Sequence, residues 1–392
     1  MILIDEKCTH CEACKQICPT NAIQWESANT GIKKLVVDEN KCIDCHACEK
    51  VCHLLVDLKN SEVGNVYAAV SKDQEMLKHS TSGGIFSELA KYYLNSAGVV
   101  YGCAFTEKMK AKHIRINKPE ELNRLQGSKY VESDVSTSFE RVKQDLDEGT
   151  KVLFSGTPCQ VAGLKAFLRK DYDNLLTVDL ICHGVAPQTA FDKYIHYLEK
   201  KYDGKMLDYS FRSKSNRGWS LAGEYTVKNR KGVTIKKKAF YFNEYYYYYF
   251  LKGYIYNKSC YACKYTDTKR SGDITLGDFW GVEKISTVFN VSNGCSLVIT
   301  NSSKGDELFK QLDLYYKSSS IDVAKKGNRQ LTEPCCCPSN YSELYERVVK
   351  WDPQKTQRLF VHENLFQIIK GKIKYSVPTS LIALLKGKSK ND

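Results

Sequence analysis

Two cysteine runs at the N-terminal end constrain this chain more than any other feature. The first is Cys8, Cys11, Cys14 and Cys18, followed by Pro19; the second is Cys42, Cys45, Cys48 and Cys52. Each cysteine of the second run lies 34 residues beyond its counterpart. The spacing C-x2-C-x2-C-x3-C holds a cubane 4Fe–4S cluster with three thiolates in a tight loop, while the fourth reaches across to a second cluster. Cys8, Cys11, Cys14 and Cys52 are therefore expected to ligate one 4Fe–4S cluster, and Cys42, Cys45, Cys48 and Cys18 the other.

Competing readings explain the spacing less well. A disulfide framework needs an oxidising compartment, and the start, Met1 to Glu6, lacks the basic and apolar regions of a secretory signal. Structural zinc takes thiols in widely separated CxxC pairs. Residues 1–60 thus read as a bacterial ferredoxin-like module with two clusters. His53 stands where a second proline is typical, and is expected to alter a hydrogen bond near the cluster without abolishing ligation.

With 392 residues the chain has room for two or three domains. No apolar run reaches the roughly 18 residues of a transmembrane helix, and a reducing, cytoplasmic setting is expected for thiolate ligands. The formal charge is +13, yet residues 1–60 hold seven Lys/Arg against nine Asp/Glu, so the remainder is strongly basic. Scattered lysines read first as a solvated surface; the functional alternative is attraction for an anionic cofactor or an acidic electron-carrier partner. No nucleic-acid recognition module accompanies the charge.

Beyond a linker at 57–65, alternating short apolar runs and amphipathic stretches predict a mixed α/β domain over 63–320, in two parts, 63–145 and 150–320. A basic helical region follows over 321–392. The fold class expected is therefore α+β. Strands are expected at Ile2–Ile4, Ile23–Trp25, Lys34–Val37, Val66–Val70, Val99–Tyr101, Lys151–Phe154, Leu175–Ile181, Tyr209–Arg212, Asp273–Gly281 and Cys295–Asn301. Gly223–Lys228 and Gly232–Phe240 read as a hairpin. The run Tyr245 to Tyr249 reads as a helix packing a core. Leu381–Leu385 reads as part of a packed C-terminal helix rather than a membrane contact.

Four further cysteines form a second constellation. Cys159 and Cys182 follow successive strands and each precedes a helix, at the sheet edge where α/β folds place ligands. Cys260 and Cys263 form a lone CxxC. Spacing alone leaves a third 4Fe–4S cluster, a zinc site and a dithiol pair open. Cys159, after Pro158 at a helix start, is also expected to have a lowered pKa. Ser82-Gly83-Gly84 before a helix is an ordinary N-cap or an anion site. His183, beside Cys182, is a candidate proton donor or a hydrogen-bond partner of a sulfur. Cys103, Cys295 and the triplet Cys335-Cys336-Cys337 have no assigned role.

Together, Gly156-Thr157-Pro158-Cys159-Gln160, Ile181-Cys182-His183-Gly184, Phe211-Arg212-Ser213-Lys214 with Gly218-Trp219, the CxxC of Cys260 and Cys263, and Asp273 to Gly281 resemble the coenzyme F-420 hydrogenase/dehydrogenase beta-subunit family. The resemblance runs from about residue 63 to 345, and fused ferredoxin modules occur in that family. It implies an iron–sulfur flavoprotein that binds FAD, with Cys159, Cys182, Cys260 and Cys263 as ligands of a third cluster. It also implies flavin contacts from Ser82, Gly83, Gly84, Ser128, Lys129 and Tyr130. The activity implied is oxidoreduction between a ferredoxin-type or other redox partner protein and FAD, with hydride transfer to a small substrate or deazaflavin. The alternatives are a non-catalytic electron-transfer subunit or adaptor, and a redox protein of surface-polysaccharide synthesis.

Overall fold

The computed structural model describes residues 6–27, 33–58, 64–215, 218–285 and 289–376. The strand expected at Ile2–Ile4, most of the linker and the segment Leu381–Leu385 lie outside them. In the N-terminal module β1 (Ile23–Ser27) pairs antiparallel with β2 (Lys33–Val37), Ile23 opposite Val37. Its own apolar cluster is Cys14, Ile23 and Cys52, with Cys18, Leu35, Val37, Cys48 and Leu54 against it. Thiols make up much of that core, so what they bind substitutes for side-chain packing. Cys11, Ala13 and Val51 instead join a core with Phe139, Val161 and Leu164 of the following domain. Gly163 permits that contact, because a Cβ there would lie 2.9 Å from the Cys11 sulfur.

The larger domain is built on eight strands: β3 (Val66–Ser71), β4 (Val99–Phe105), β5 (Ala111–Ile116), β6 (Val152–Gly156), β7 (Leu175–Leu180), β11 (Ile274–Asp278), β12 (Ser296–Thr300) and β13 (Leu314–Ser319). Their order is β13-β3-β12-β11-β7-β6-β4-β5. The four central strands, β11, β7, β6 and β4, are parallel; the rest pair antiparallel. β6, β7 and β11 therefore end on one edge, with Cys159, Cys182 and Asp278 at or just past those ends. The edge strands β5 and β13 are absent from the sequence expectations. Each is partly exposed, so neither carries the continuous apolar run that marks a central strand.

Between β7 and β11 the chain forms a separate sheet of β8 (Gly204–Ser210), β9 (Ala222–Asn229) and β10 (Thr234–Phe240). β8 stops at Ser210, so the strand expected over Tyr209–Arg212 is shorter at its C-terminal end; Phe211 and Arg212 leave the ladder, and Arg212 turns its guanidinium to Asp278. The tyrosine run forms the helix Tyr245–Leu251 with Tyr245, Tyr246, Tyr247 and Tyr249 buried. It packs a core as expected, and it also anchors two loops. The Tyr246 hydroxyl donates to the Tyr130 carbonyl at 2.8 Å and the Tyr247 hydroxyl to the Phe211 carbonyl at 2.6 Å. The helices Tyr341–Val349, Pro353–Glu363 and Leu365–Ser376 contribute Tyr345, Phe360 and Ile368 to the same core. Among the described residues no helix is long and apolar enough to cross a membrane.

One buried ion pair ties the sheet to the CxxC segment. Arg270 Nη2 lies 3.2 Å from Asp179 Oδ1, with the side chains 1% and 0% exposed. The other Asp179 oxygen accepts from the Ser271 and Gly272 amides. Arg270 also donates to the carbonyls of Leu180 and Tyr265, each at 2.8 Å. The guanidinium thus clamps the end of β7 to the segment just after Cys263.

Removing one partner of a buried, hydrogen-bonded pair leaves the other charge uncompensated, so Asp179→Ala is expected to lose about 3–5 kcal/mol in urea denaturation. Glu244 is also buried; burial raises its carboxyl to about 7, against the pull of Lys201 and a Tyr194 hydroxyl bond. A raised acid contributes stability that is present below its ordinary value of 4.5 and is lost as pH rises through 7. The stability gained by Glu244→Gln over the parent should widen by about 2 kcal/mol between pH 5 and pH 8, measured in paired melts.

Candidate functional site

The two N-terminal sets of thiols surround two separate spaces. One is lined by Cys8, Cys11, Cys14 and Cys52, with Thr9, Trp25 and His53. The other is lined by Cys18, Cys42, Cys45 and Cys48, with Pro19 and Ile43. These are the two crossed sets that the spacing predicts. The first set faces the large domain: Cys11, Cys14 and Cys52 are buried. The second faces outward: Cys45 is exposed and Ile43 is 64% exposed. Burial pushes the Cys8 thiol up to about 11 and Cys14 to about 12, so ionisation there requires a compensating cationic centre. Among the described residues no three His, Cys, Asp or Glu side chains converge as they would on a single metal ion; the thiols ring a space instead.

The second constellation also assembles. Cys182 lies within electrostatic reach of Cys159 and Cys263, and Cys260 of all three. Cys159 comes from the start of the helix Pro158–Leu168, which Thr157 and Gln160 close with a capping box. The Thr157 hydroxyl lies 3.1 Å from the Cys159 sulfur. Cys260 and Cys263 come from the loop gripped by Arg270. The lowered pKa expected for Cys159 is not found: burial pushes it up to about 12, with Cys263 adding and the Thr157 hydroxyl opposing. The helix N-terminus favours the thiolate, but desolvation in this pocket is the larger effect. Burial likewise raises Cys182 to about 12. Cys11 of the inner ferredoxin-type set is close enough to Cys159 to feel its charge, so the two sets are neighbours.

Beside this edge lies a polar group anchored on Arg212. Its Nε donates to the Ser220 carbonyl at 2.7 Å, and its Nη1 donates to Asp278 at 2.9 Å and to the Tyr130 hydroxyl at 3.3 Å. Its Nη2 is buried without a hydrogen-bond partner among the described residues, and the guanidinium sits over the Trp280 ring. Trp280 stacks on Trp219 at 4.7 Å, and Trp219 Nε1 donates to Asp278 at 3.0 Å. Lys214 donates to the Leu77 and Ser82 carbonyls, each at 2.6 Å. Burial draws its pKa down to about 7, Asp278 opposing and Arg212 adding. His183 is drawn down by burial and lies in the field of Asp278 and Arg212. The Phe211–Lys214 and Asp273–Gly281 motifs carried the signal for Arg212, Lys214 and Asp278.

The residues expected to touch a flavin lie in the neighbouring loops, and much of their bonding capacity is internal. Gly83 packs so tightly that a Cβ would meet the Ala69 carbonyl oxygen at 2.2 Å, and its amide donates to Ser296 Oγ. Ser82 Oγ donates to the Cys295 carbonyl at 2.8 Å. Gly84 precedes the helix Ile85–Asn95 without a side-chain cap. Ser128 bonds Thr81 Oγ1 through both its amide and its hydroxyl, tying the two loops together. The Lys129 ammonium donates to the carbonyls of Arg124, Leu125 and Gln126. Tyr130 stacks on Phe250 at 4.6 Å and reaches Arg212. Sequence reasoning did not single out Glu132, which burial would raise but which His10, Lys33 and Asn257 together hold down at about 2. Nothing local marks it, because its partners His10 and Asn257 lie more than a hundred residues away in sequence.

Cys335 packs partly buried against the aromatic core, while Cys336 and Cys337 are exposed. None of the seventeen cysteines takes part in a disulfide.

Residues 7–54 match the 4Fe-4S dicluster domain. Residues 66–140 match the N-terminal, and residues 149–322 the C-terminal, model of the coenzyme F420 hydrogenase/dehydrogenase beta subunit. A chain in a solved structure of the xenon-derivatised F420-reducing [NiFe] hydrogenase complex from Methanosarcina barkeri is 17% identical, with a TM-score of 0.43; the match covers 76% of this chain and 93% of that one. The protein belongs to the coenzyme F420 hydrogenase/dehydrogenase beta-subunit family, an iron–sulfur oxidoreductase and electron-transport family, and carries an N-terminal 4Fe-4S dicluster domain.

Proposed function

We propose that the chain relays electrons between a redox partner protein and FAD through three 4Fe–4S clusters, and passes hydride to a small substrate or deazaflavin. One observation carries the reading. Cys11 of the inner ferredoxin-type set lies within electrostatic reach of Cys159, and Cys159 of Cys263, while Gly163 lets Cys11 approach the helix whose first turn carries Cys159. When bound, the clusters supply one-electron steps and the flavin exchanges between those and a two-electron hydride step.

The residues of this chain do the positioning. Cys18, Cys42, Cys45 and Cys48 would hold a cluster near the surface, where a donor could reach it, and Cys8, Cys11, Cys14 and Cys52 would hold one against the large domain. Cys159, Cys182, Cys260 and Cys263 would hold the third at the parallel edge. The donor set fits, since four half-buried thiols whose pKa burial raises need cationic compensation to ionise. The Nη2 of Arg212, without a partner among the described residues, fits an anionic or carbonyl-bearing ring system, and the guanidinium stacks over Trp280. Ser82, Gly83, Gly84, Ser128, Lys129 and Tyr130 shape the flavin's surroundings. His183, between Cys182 and the Arg212–Asp278 pair, is the candidate proton donor. A cytoplasmic location suits such centres.

The exposed apolar side chain of Ile43, beside the outer set, favours a second reading as well. A subunit that serves a larger oxidoreductase would cover such a rim with its partner.

Two measurements test the assignment. Anaerobically prepared protein should contain about twelve iron atoms per chain, and Cys159→Ser about eight; equal values near eight would remove the third site. Cys18→Ser should disturb the centre held by Cys42, Cys45 and Cys48, and leave the one held by Cys8, Cys11 and Cys14, as read by electron spin resonance. Arg212→Lys keeps the charge but loses the planar fork, so FAD should be retained about tenfold more weakly, measured by equilibrium dialysis. Unchanged retention would take Arg212 out of the flavin site.

A further inference from the structure

His53 is the residue at which this chain departs from the usual ferredoxin run, with its proline after the fourth cysteine. It is buried at 1% exposure, in the wall of the inner thiol set. Its Nε2 lies 2.8 Å from the hydroxyl of Thr9, which sits between Cys8 and Cys11. Its Nδ1 is hydrogen-bonded to the hydroxyl of Tyr265, two residues after Cys263. One tautomer satisfies both contacts, with the Tyr265 hydroxyl donating to Nδ1 and the Nε2–H donating to Thr9. Lys264 of the CxxC segment also donates to the His53 carbonyl at 2.6 Å. Tyr265 is itself buried, and its carbonyl is held by Arg270.

Tyr265 therefore stands between two thiol sets. Its hydroxyl is within electrostatic reach of Cys159 and Cys263 on one side, and of Cys11 and Cys52 on the other. A proline at position 53 has no ring nitrogen able to bond and could make neither side-chain contact. Hydrogen bonds and oriented dipoles near cluster sulfurs are among the main determinants of cluster potential, and in a buried site they act with little screening.

We propose that the Thr9–His53–Tyr265 chain of hydrogen bonds sets the reduction potentials of the centres on both its sides together, coupling the ferredoxin-type module to the CxxC site. The inference rests on the reading above, in which both thiol sets hold clusters. His53 and Tyr265 are positioning residues here, acting on the environment of the ligands rather than as ligands.

The test is a redox titration of the full chain, prepared anaerobically and followed by electron spin resonance, for the parent, Tyr265→Phe and His53→Pro. Each variant should keep the parent's iron content. Each should shift both the inner and the CxxC centre by about tenfold in reduction equilibrium, which is about 59 mV for a one-electron couple. The outer centre of Cys18, Cys42, Cys45 and Cys48 should stay where it is. A purely mechanical role for the pair would lower the melting temperature and move neither potential. The proposal is overturned if either variant keeps its iron and its parent potentials, if only one of the two centres moves, or if both variants lose iron. A parent protein with only about eight iron atoms would instead defeat the three-site reading, and the bridge with it.

Discussion

The geometry of the candidate site depends on a charge taken out of water. Arg270 and Asp179 are the most completely buried ion pair among the described residues for which exposures are known. Such a pair offsets its desolvation cost only when its remaining donors and acceptors are satisfied. Here the acid accepts from the Ser271 and Gly272 amides, and the guanidinium reaches the carbonyls of Leu180 and Tyr265. The same bonds that satisfy the pair bind the end of β7 to the CxxC loop. The segments of Cys182 and Cys263 are thereby held beside one another, with Arg270 bonded to the carbonyls of Leu180 and Tyr265.

A second constraint is space. The ferredoxin-type module has only a small, thiol-rich core of its own, and Cys11, Ala13 and Val51 pack instead into the core of the helix Pro158–Leu168 and its neighbours. Gly163 lets the Cys11 sulfur come close to that helix, whose first turn carries Cys159. Packing thus requires a short separation between the inner thiols and the sheet edge, the separation that the proposed electron relay would also need. Polar ties reinforce it from both flanks: Glu132 with His10 and Asn257 on one, His53 with Tyr265 on the other.

The thiol environment shows how tertiary context reverses a local expectation. Pro158 and the helix start at Cys159 argue for a stabilised thiolate, yet burial among other thiols raises its pKa. Local sequence reports the dipole; only the fold reports the desolvation, and in a closed pocket desolvation outweighs the dipole. The tyrosine run shows the opposite case. Its packing role was legible from composition, while the hydrogen bonds from Tyr246 and Tyr247 to the loops bearing Tyr130 and Arg212 depend on which segments fold beside it.

From sequence alone came the two crossed sets of thiols, the α+β class, the interior strands β3, β4, β6, β7, β11 and β12, and the membership of Cys159, Cys182, Cys260 and Cys263 in one family pattern. Each rests on spacing or on an apolar run, which are properties of a local stretch of chain. The edge strands β5 and β13 escaped because half-exposed strands lack that signal. The Arg270–Asp179 clamp, the burial of Arg212 against Asp278, the tie of Glu132 to His10 and the bridge from His53 to Tyr265 were settled by tertiary structure alone. The partners in three of these lie from 91 to 212 residues apart, and Arg212 lies 66 residues from Asp278. What a buried polar group bonds to is decided by which segments the fold stacks against it, and no local pattern encodes that.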